Sequence, residues 1–300
     1  MNAPWHAGEL AIQASIGMVE RMDQVGRKVI RDHMPDQHRD FFAQLPFAVF
    51  GTVDGEGRPW ATLRAGEEGF MQSPDPQHLR LTLPADAADP AQAGLRDGSA
   101  VGMLGIELHT RRRNRLNGWL HALGGDAYEI SVAESFGNCP QYIHRRDYHF
   151  ERAPAEAGGL PPQQLPQLDA LARALIARSG TFFVASYTDE GGERRVDVSH
   201  RGGAPGFVQV AADGALTIPD YSGNRFFSTL GNILLNGRAG LVFPDFDSGG
   251  LLQLSGEAEV LLAAPDQAQW PGAERLWRVR PRHIVWREDA LPLRWALQLG

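Results

Sequence analysis

A chain of 300 residues, 43% hydrophobic and 22% charged, can bury one large core or two ordinary ones, and two is the better match to usual domain sizes. Its net charge of −7 and sequence pI near 5.8, with the 29 basic residues scattered except for the run Arg111–Arg115, argue against nucleic acid as a partner. No apolar run approaches the length of a membrane span, no basic-then-apolar leader opens the chain, and the single Cys139 excludes an internal disulfide or a cysteine metal cluster, so a cytoplasmic protein without a membrane partner is expected.

Residues 8 to 33 space Leu10, Ile12, Ile16, Val19, Met22, Val25, Val29 and Ile30 at helical intervals broken at Gly17 and Gly26, which predicts one or two helices. Met34–Phe42 reads as a further short helix entering the first clear strand, Phe47–Phe50. Asp54–Pro59 forms a hairpin turn in which Gly supplies positive φ. Thr110–Gly118 reads as a strand whose alternation puts Arg111, Arg113 and Arg115 on one face and Arg112 and Asn114 on the other. Three like charges on one face need an anion or carboxylates beside them, or else they blunt a solvated edge. In Ser135–Ile143, Cys139 precedes a proline with only His144 near it, so the thiol reads as structural, at a turn into a short helix. Glu151–Pro162 is rich in Pro and Gly and reads as a linker, after which Leu165, Leu168, Leu171, Ala172, Leu175 and Ile176 predict a helix over 163–178.

The chain repeats itself. Phe47–Phe70 can be laid over Phe182–Phe207, with Gly69 and Gly206 137 positions apart (206 − 69), Arg64 and Arg201 likewise (201 − 64), and Gly118 and Gly256 138 apart (256 − 118). The near-constant offset predicts duplication of one barrel unit, since the period is far too long for a solenoid. The copies are unequal: Leu63–Gly66 stands against His200–Gly203, and Pro84–Pro90 stands where the second copy has Pro219–Arg225, so the first lacks the anion-binding pattern of the second.

That pattern begins with Val196 and Val198, a strand that ends in Ser199, His200 and Arg201 and runs into a Gly-rich turn with free backbone N–H groups. Asp220–Asn232 then turns through Ser222, Gly223 and Asn224 into the apolar-periodic run Phe226, Phe227, Leu230, Ile233, Leu234. Ser222 or Asn224 is expected to cap a helix whose N-terminus attracts phosphate. Arg201 and Arg225 carry charges that do not titrate at ordinary pH and can grip phosphate through two parallel hydrogen bonds. His200, beside Arg201, is expected to be neutral and to bind rather than move protons; the alternative is a turn histidine that caps backbone groups. Asn232 and Gln253 interrupt apolar runs, as ligand contacts or satisfied core amides; Tyr221 could flank a ring, whereas Trp60 reads as core or barrel rim. No His-Glu-x-x-His, Gly-x-Gly-x-x-Gly or Gly-Lys-Ser/Thr motif occurs, which argues against zinc hydrolysis, Rossmann-type dinucleotide binding and P-loop chemistry, and no metal is expected.

Strand, basic turn, strand, Ser222–Arg225, helix, then Asn236–Phe243 and Leu251–Ala258, resembles the pyridoxamine 5′-phosphate oxidase-like family, the FMN-binding split β-barrels, well over roughly residues 165–290 and more faintly in the first half. The resemblance implies a mainly β fold with peripheral helices (α+β): two tandem split β-barrels and an N-terminal helical extension. The expected divisions are the extension over 1–40, a first, degenerate barrel over 41–152, a linker over 153–164 and a second barrel with the phosphate cradle over 165–300. It implies FMN as cofactor, its phosphate held by Ser199, Arg201, Ser222, Asn224 and Arg225, with His200, Tyr221, Asn232 and Gln253 as further contacts and the strand bearing Arg111 and Arg113 as the facing wall. A flavin oxidoreductase acting with a small-molecule substrate or electron donor is then expected, its barrels pairing within one chain or across a homodimer. Alternatives are a haem-binding or haem-degrading relative using His144, His200 or His283, a flavin carrier without turnover, and a deazaflavin protein. Pyridoxamine 5′-phosphate oxidase activity itself is not expected, because the arginines of Trp277–His283 and Trp286–Ala290 do not follow that branch's pattern.

Overall fold

The computed structural model describes residues 4–156, 158–262 and 268–298; residues 1–3 of the expected extension, 157 of the linker, and 263–267 and 299–300 of the second barrel lie outside them. Three helices open the chain, α1 (Ala7–Ser15), α2 (Val19–Val29) and α3 (Asp36–Ala43). The first sheet contains β1 (Phe47–Val53), β2 (Pro59–Ala65), β3 (Met71–Asp75), β4 (His78–Thr82), β5 (Ala100–Glu107), β6 (Arg112–Gly124) and β7 (Ala127–Gly137), with a 3₁₀ turn at Pro90–Gly94. After β8 (Arg146–Phe150), β9 (Gln163–Gln164) and α4 (Ala170–Arg178), the second sheet contains β10 (Thr181–Glu190), β11 (Glu193–Gly202), β12 (Gln209–Val210), β13 (Leu216–Tyr221), β14 (Arg238–Pro244), β15 (Leu251–Leu261) and β16 (Ala273–Arg287), with α5 (Ser228–Asn236) between β13 and β14. β17 (Leu293–Leu297) returns to pair with β8.

The strand orders are β2-β1-β5-β6-β7-β4-β3 and β11-β10-β14-β15-β16-β13-β12, the same antiparallel path traced twice, with β9 added beside β16. These are two tandem split barrels. The offset between the copies slips inside the first hairpin: Ala48 pairs with Arg64 as Phe182 pairs with Arg201, so the second hairpin is three residues longer. No helix among the described residues is long and apolar enough to cross a membrane.

The strands that join the barrels are buried on both faces, which explains their nearly unbroken apolar sequence. Along β1, Ala48 and Phe50 face the core of the first barrel while Phe47 and Val49 face the second barrel. Along β10, Phe182 and Val184 face their own core while Phe183 and Ala185 face the first barrel. Alternation along a strand lets one segment serve two cores, each large apolar side chain contributing roughly 1.5–3 kcal/mol on burial.

Glycine fixes how closely the barrels approach. A Cβ on Gly102 of β5 would lie 2.9 Å from the carbonyl O of Val196 on β11, and one on Gly240 of β14 would lie 2.2 Å from the carbonyl O of Pro59 on β2. The two glycines are 138 positions apart (240 − 102) and each meets the other barrel's second strand, which describes a pseudo-two-fold arrangement within one chain. Gly240→Ala should therefore destabilise the protein by about 1–3 kcal/mol in urea unfolding; a loss within error would mean that the β2–β14 contact yields easily.

Several local expectations are corrected. The helix expected over 163–178 forms only as α4, because Pro166 interrupts the run and the Asp169 side chain caps the helix at Ala172 N, 2.8 Å. No helix follows Cys139: residues 138–145 are irregular, with Tyr142 at φ 63°. Arg111 does not belong to the arginine strand; it occupies the preceding turn at φ 61°, and β6 starts at Arg112. Helix α5 begins at Ser228 with Phe227 as an N-cap at φ 65° and no side-chain cap, so neither Ser222 nor Asn224 caps it. Those two side chains serve the turn instead: Ser222 Oγ accepts from Arg225 at 3.2 Å and Asn224 Oδ1 accepts from Phe226 N at 3.2 Å.

Candidate functional site

A cleft opens where the end of β11, the turn before α5 and the first turn of α5 meet β6 of the other barrel and the irregular segment after β7. Strand alternation on β6 sends Arg113 and Arg115 into it, while Arg112 lies over the Phe41 ring on the other side, 4.4 Å from its centroid. The cleft gathers Ser199, His200, Arg201, Tyr221, Asn224, Arg225 and Arg113. Ser222 is at its edge, touching it through Arg225 and through Tyr142, whose hydroxyl donates to the Ser222 carbonyl at 3.0 Å.

Arg111, Asn232 and Gln253 are placed elsewhere. Arg111 is exposed in its turn. Asn232 sits on the far side of α5 and donates to Ser186 Oγ at 3.0 Å. Gln253, on β15 of the second barrel, is buried against the first barrel away from the cleft, donating to the Ala61 carbonyl at 3.1 Å and to Asp89 at 3.0 Å. The structure adds Arg115, Asn138, Tyr142, Asp220 and Thr229 to the cleft. Arg115 was within reach of the alternation argument; Tyr142 and Asn138 come from a segment whose only sequence signal was Cys139, and it is the Cys139 carbonyl that acts here, accepting from Arg113 Nε at 2.8 Å.

The charges form a connected set. Arg201 and Arg275 share Asp220 at 2.8 and 2.7 Å, Arg225 pairs with Glu274, and Arg115 pairs with Asp197 at 3.1 Å and donates to Ser199 Oγ at 2.6 Å. Among the described residues, five guanidinium groups (Arg113, Arg115, Arg201, Arg225, Arg275) thus face three carboxylates (Asp197, Asp220, Glu274), an excess of two positive charges. Burial lowers the pKa of Arg113 to about 10, with Arg115 and Arg201 pushing the same way, and it remains a cation at neutral pH. Burial pushes His200 well below its ordinary value, helped by Arg113, His144 and Arg201, so its ring is neutral.

Arg113 Nη1 lies 3.0 Å from His200 Nδ1 and can only donate, so Nδ1 accepts and the ring proton resides on Nε2. That Nε2, together with Arg201 Nε, Arg115 Nε and Thr229 Oγ1, is buried without a hydrogen-bond partner among the described residues. Buried donors are seldom left so. The uncapped start of α5 adds free backbone N–H groups, and the two left-handed residues before it, Arg225 and Phe227, both at φ 65°, hold strain of order 1–2 kcal/mol each. Tyr142 and Tyr221 stack at 5.5 Å across the mouth.

Two tandem split barrels with a basic cleft between them define a duplicated split-barrel protein. The family model described as pyridoxamine 5′-phosphate oxidase matches residues 34–157 and again residues 168–287, so the chain belongs to that family and carries its domain twice. No curated protein matches the chain. Similar solved structures include a Lactobacillus delbrueckii protein provisionally assigned as a pyridoxamine 5′-phosphate oxidase (17% identity, 35% of this chain and 95% of that one, TM-score 0.29). Others are the HupZ protein of Group A Streptococcus (15% identity, 40% and 99%, TM-score 0.32) and an FAD-binding protein of Mycobacterium smegmatis (15% identity, 42% and 98%, TM-score 0.28).

Proposed function

We propose that this chain is a cytoplasmic FMN-binding oxidoreductase that holds one flavin in the cleft between its two barrels. The observation that carries the reading is the excess of two positive charges around buried, unpartnered donors at an uncapped helix start. A phosphate monoester brings a charge of about −1.5 to −2 and three strong acceptor oxygens, which matches both deficits. Ser199, Arg201, Arg225, Arg115 and the first N–H groups of α5 would hold the phosphate, with neutral His200 donating from Nε2 and Tyr142 and Tyr221 screening the mouth from water.

When bound, the flavin itself would supply the redox chemistry; the chain supplies grip, orientation and a fixed positive field. No carboxylate in the cleft is free to act as a base, since Asp197, Asp220 and Glu274 are all spent on arginines. Of the β16 arginines, Arg278, Arg280 and Arg282 do not reach the cleft: Arg278 and Arg280 pair with Glu259, and Arg282 with Glu257, along the outside of the strand. This favours a substrate other than pyridoxamine 5′-phosphate. The haem alternative finds little support, because His200 is buried against Arg113, His144 Nε2 is 2.8 Å from the Gly203 carbonyl, and His283 is exposed beside Trp60.

The test is a titration of the purified protein with FMN and with riboflavin, followed by NADH or NADPH. Tight FMN binding, riboflavin binding at least tenfold weaker, and bleaching of the flavin bands by a nicotinamide are expected. Equal affinity for the two flavins would refute the phosphate cradle, and a flavin that no nicotinamide reduces would leave a carrier in place of an oxidoreductase.

A further inference from the structure

The first barrel has no basic turn, yet at the matching positions it keeps a hydroxyl, a guanidinium, a facing-strand donor and a helical start, and it fills the space between them with a carboxylate of its own. Thr62 on β2 corresponds to Ser199 on β11, since Thr62 pairs with Phe50 as Ser199 pairs with Val184. Arg64, two residues on, corresponds to Arg201. On the facing strand, Gln253 pairs with Val242 as Arg115 pairs with Leu104, so Gln253 stands where Arg115 does. Arg287, at the end of β16, pairs with Leu251 of β15 and occupies the place of Asn138, whose N–H bonds the Arg113 carbonyl. Finally, the residue that caps the 3₁₀ turn at Pro90–Gly94 is Asp89, the counterpart of Phe227 at the start of α5.

All these groups converge on one point. The Asp89 carboxylate accepts from Thr62 Oγ1 at 2.6 Å, from Gln253 Nε2 at 3.0 Å and from Ala91 N at 3.0 Å. It lies 3.7 Å from Arg64 Nη1 and 3.4 Å from Arg287 Nη1, and its side chain is 0% exposed. Arg64 and Arg287 are balanced by Asp89 and by Asp86, which Arg287 also grips, so no net charge is left over. In the second barrel no single carboxylate gathers the corresponding groups: Ser199 Oγ donates to Asp197 at 3.0 Å and Arg115 pairs with that same residue, Arg201 turns to Asp220, the helix start has Phe227 in place of an aspartate, and the charge excess is two.

We propose that Asp89 is a resident anion that occupies, in the first barrel, the position a ligand phosphate takes in the second, so that each chain has one cofactor site and a second that Asp89 keeps shut. Calling the ligand a phosphate rests on the flavin reading above; the plugging of the first site does not. The correspondence also names the phosphate contacts of the open site: Ser199 Oγ, the Arg201 guanidinium, the Thr229 N–H (counterpart of Ala91 N) and Arg115. Because Gln253 and Arg287 belong to the second barrel, the plug doubles as a lock between the halves.

The experiment is anion rescue. Asp89→Gly deletes the carboxylate but leaves a residue well tolerated at a helix start. It should melt several degrees lower than the parent, and formate should restore most of that loss at tens of millimolar, whereas chloride of equal ionic strength should not. Asp89→Asn keeps the bulk without the charge and should be destabilised yet insensitive to formate. The parent should take up one FMN per chain. Formate acting no better than chloride on Asp89→Gly would overturn the proposal, as would two FMN per parent chain or an Asp89→Gly protein that does not fold even when expressed and purified with formate. A parent that binds no flavin, with the formate rescue intact, would sink the functional reading and leave the plug standing.

Discussion

Replacing Arg201 by alanine is expected to weaken FMN binding roughly 10- to 150-fold, the equivalent of about 1.5–3 kcal/mol for a hydrogen bond to a charged group, while leaving riboflavin binding unchanged. Arg201 reaches the cleft from the last turn-facing residues of β11, where Nη1 is anchored on Asp220 and Nε is buried with no partner among the described residues. The anchor holds the planar fork in place, and the unpartnered edge is what a phosphate oxygen would meet. Removing the side chain also halves the charge excess of the cleft from two to one. Arg225→Ala should cost less, because that guanidinium already shares its charge with Glu274 and its Nη2 with Ser222. Fluorescence titration with both flavins separates the cases. An unchanged FMN dissociation constant would remove Arg201 from the cradle, and an equal loss for riboflavin would mean that the cleft had collapsed around Trp277, over which the Arg201 guanidinium packs at 5.9 Å.

How much of this could be read in the sequence follows from where the interacting groups lie along the chain. The duplication was legible because Arg64, Arg201, Gly69 and Gly206 hold one offset, and the class of cleft was legible because Ser199–Arg201 and Tyr221–Arg225 supply most of one wall from two short segments. The other wall depends on hairpin register. A turn that runs through Arg111, so that β6 starts two residues past the expected Thr110, puts Arg111 at positive φ outside the strand and leaves Arg113 and Arg115 to point inward. The start of α5 misled for a different reason: Ser222 and Asn224 are good capping residues, but they bond within their own turn, and the helix starts later on a residue that cannot cap. Gln253 was noticed as a polar interruption of an apolar strand, and the ambiguity between ligand contact and core amide is resolved by a partner 164 positions away, Asp89. Nothing local in Pro84–Pro90 signals that its Asp89 is the counter-ion of Arg64 and Arg287, and the Arg287 contact exists only once the barrels are docked.

The stability of the parent should peak near pH 6.5 and fall by roughly 2 kcal/mol towards pH 8, and Glu9→Gln should abolish that fall. Glu9 lies on α1 where Gly8 and Gly231 bring α1 and α5 together: a Cβ on Gly8 would be 2.1 Å from the Gly231 carbonyl O, and one on Gly231 would be 2.6 Å from Glu9 N. Burial pushes the Glu9 carboxyl up to about 8, and Glu134 on β7 adds to this. The His6 N–H, at 3.0 Å from Oε2, Ser228 and Arg195 on β11 oppose it. His6, held down to about 4 by burial and by Arg195, is neutral too, so its 3.4 Å contact with Glu9 is not an ion pair at pH 7.

In the unfolded chain Glu9 would lose its proton near 4.5, and in the folded protein it keeps it to about 8. Its contribution is therefore complete below pH 4.5 and is lost as pH rises towards 8. His6 and His38, both lowered from 6.5 to about 4 by burial, act in the other direction: their contribution is complete above pH 6.5 and lost as pH falls towards 4. His200, also pushed well below its ordinary value, joins them, so the histidines outweigh one glutamate below pH 6.5 and Glu9 sets the slope above it. Urea unfolding from pH 5 to 9 checks both limbs; a parent flat between pH 6.5 and 8, or a Gln variant that still declines, would remove Glu9 from the account. The same ionisation bears on the cleft, because Ser228, which Glu9 meets, is the first residue of the cradle helix. A carboxylate formed there competes for the field of α5 that a flavin phosphate needs. FMN affinity of the parent should consequently weaken above pH 8 while that of the Gln variant holds.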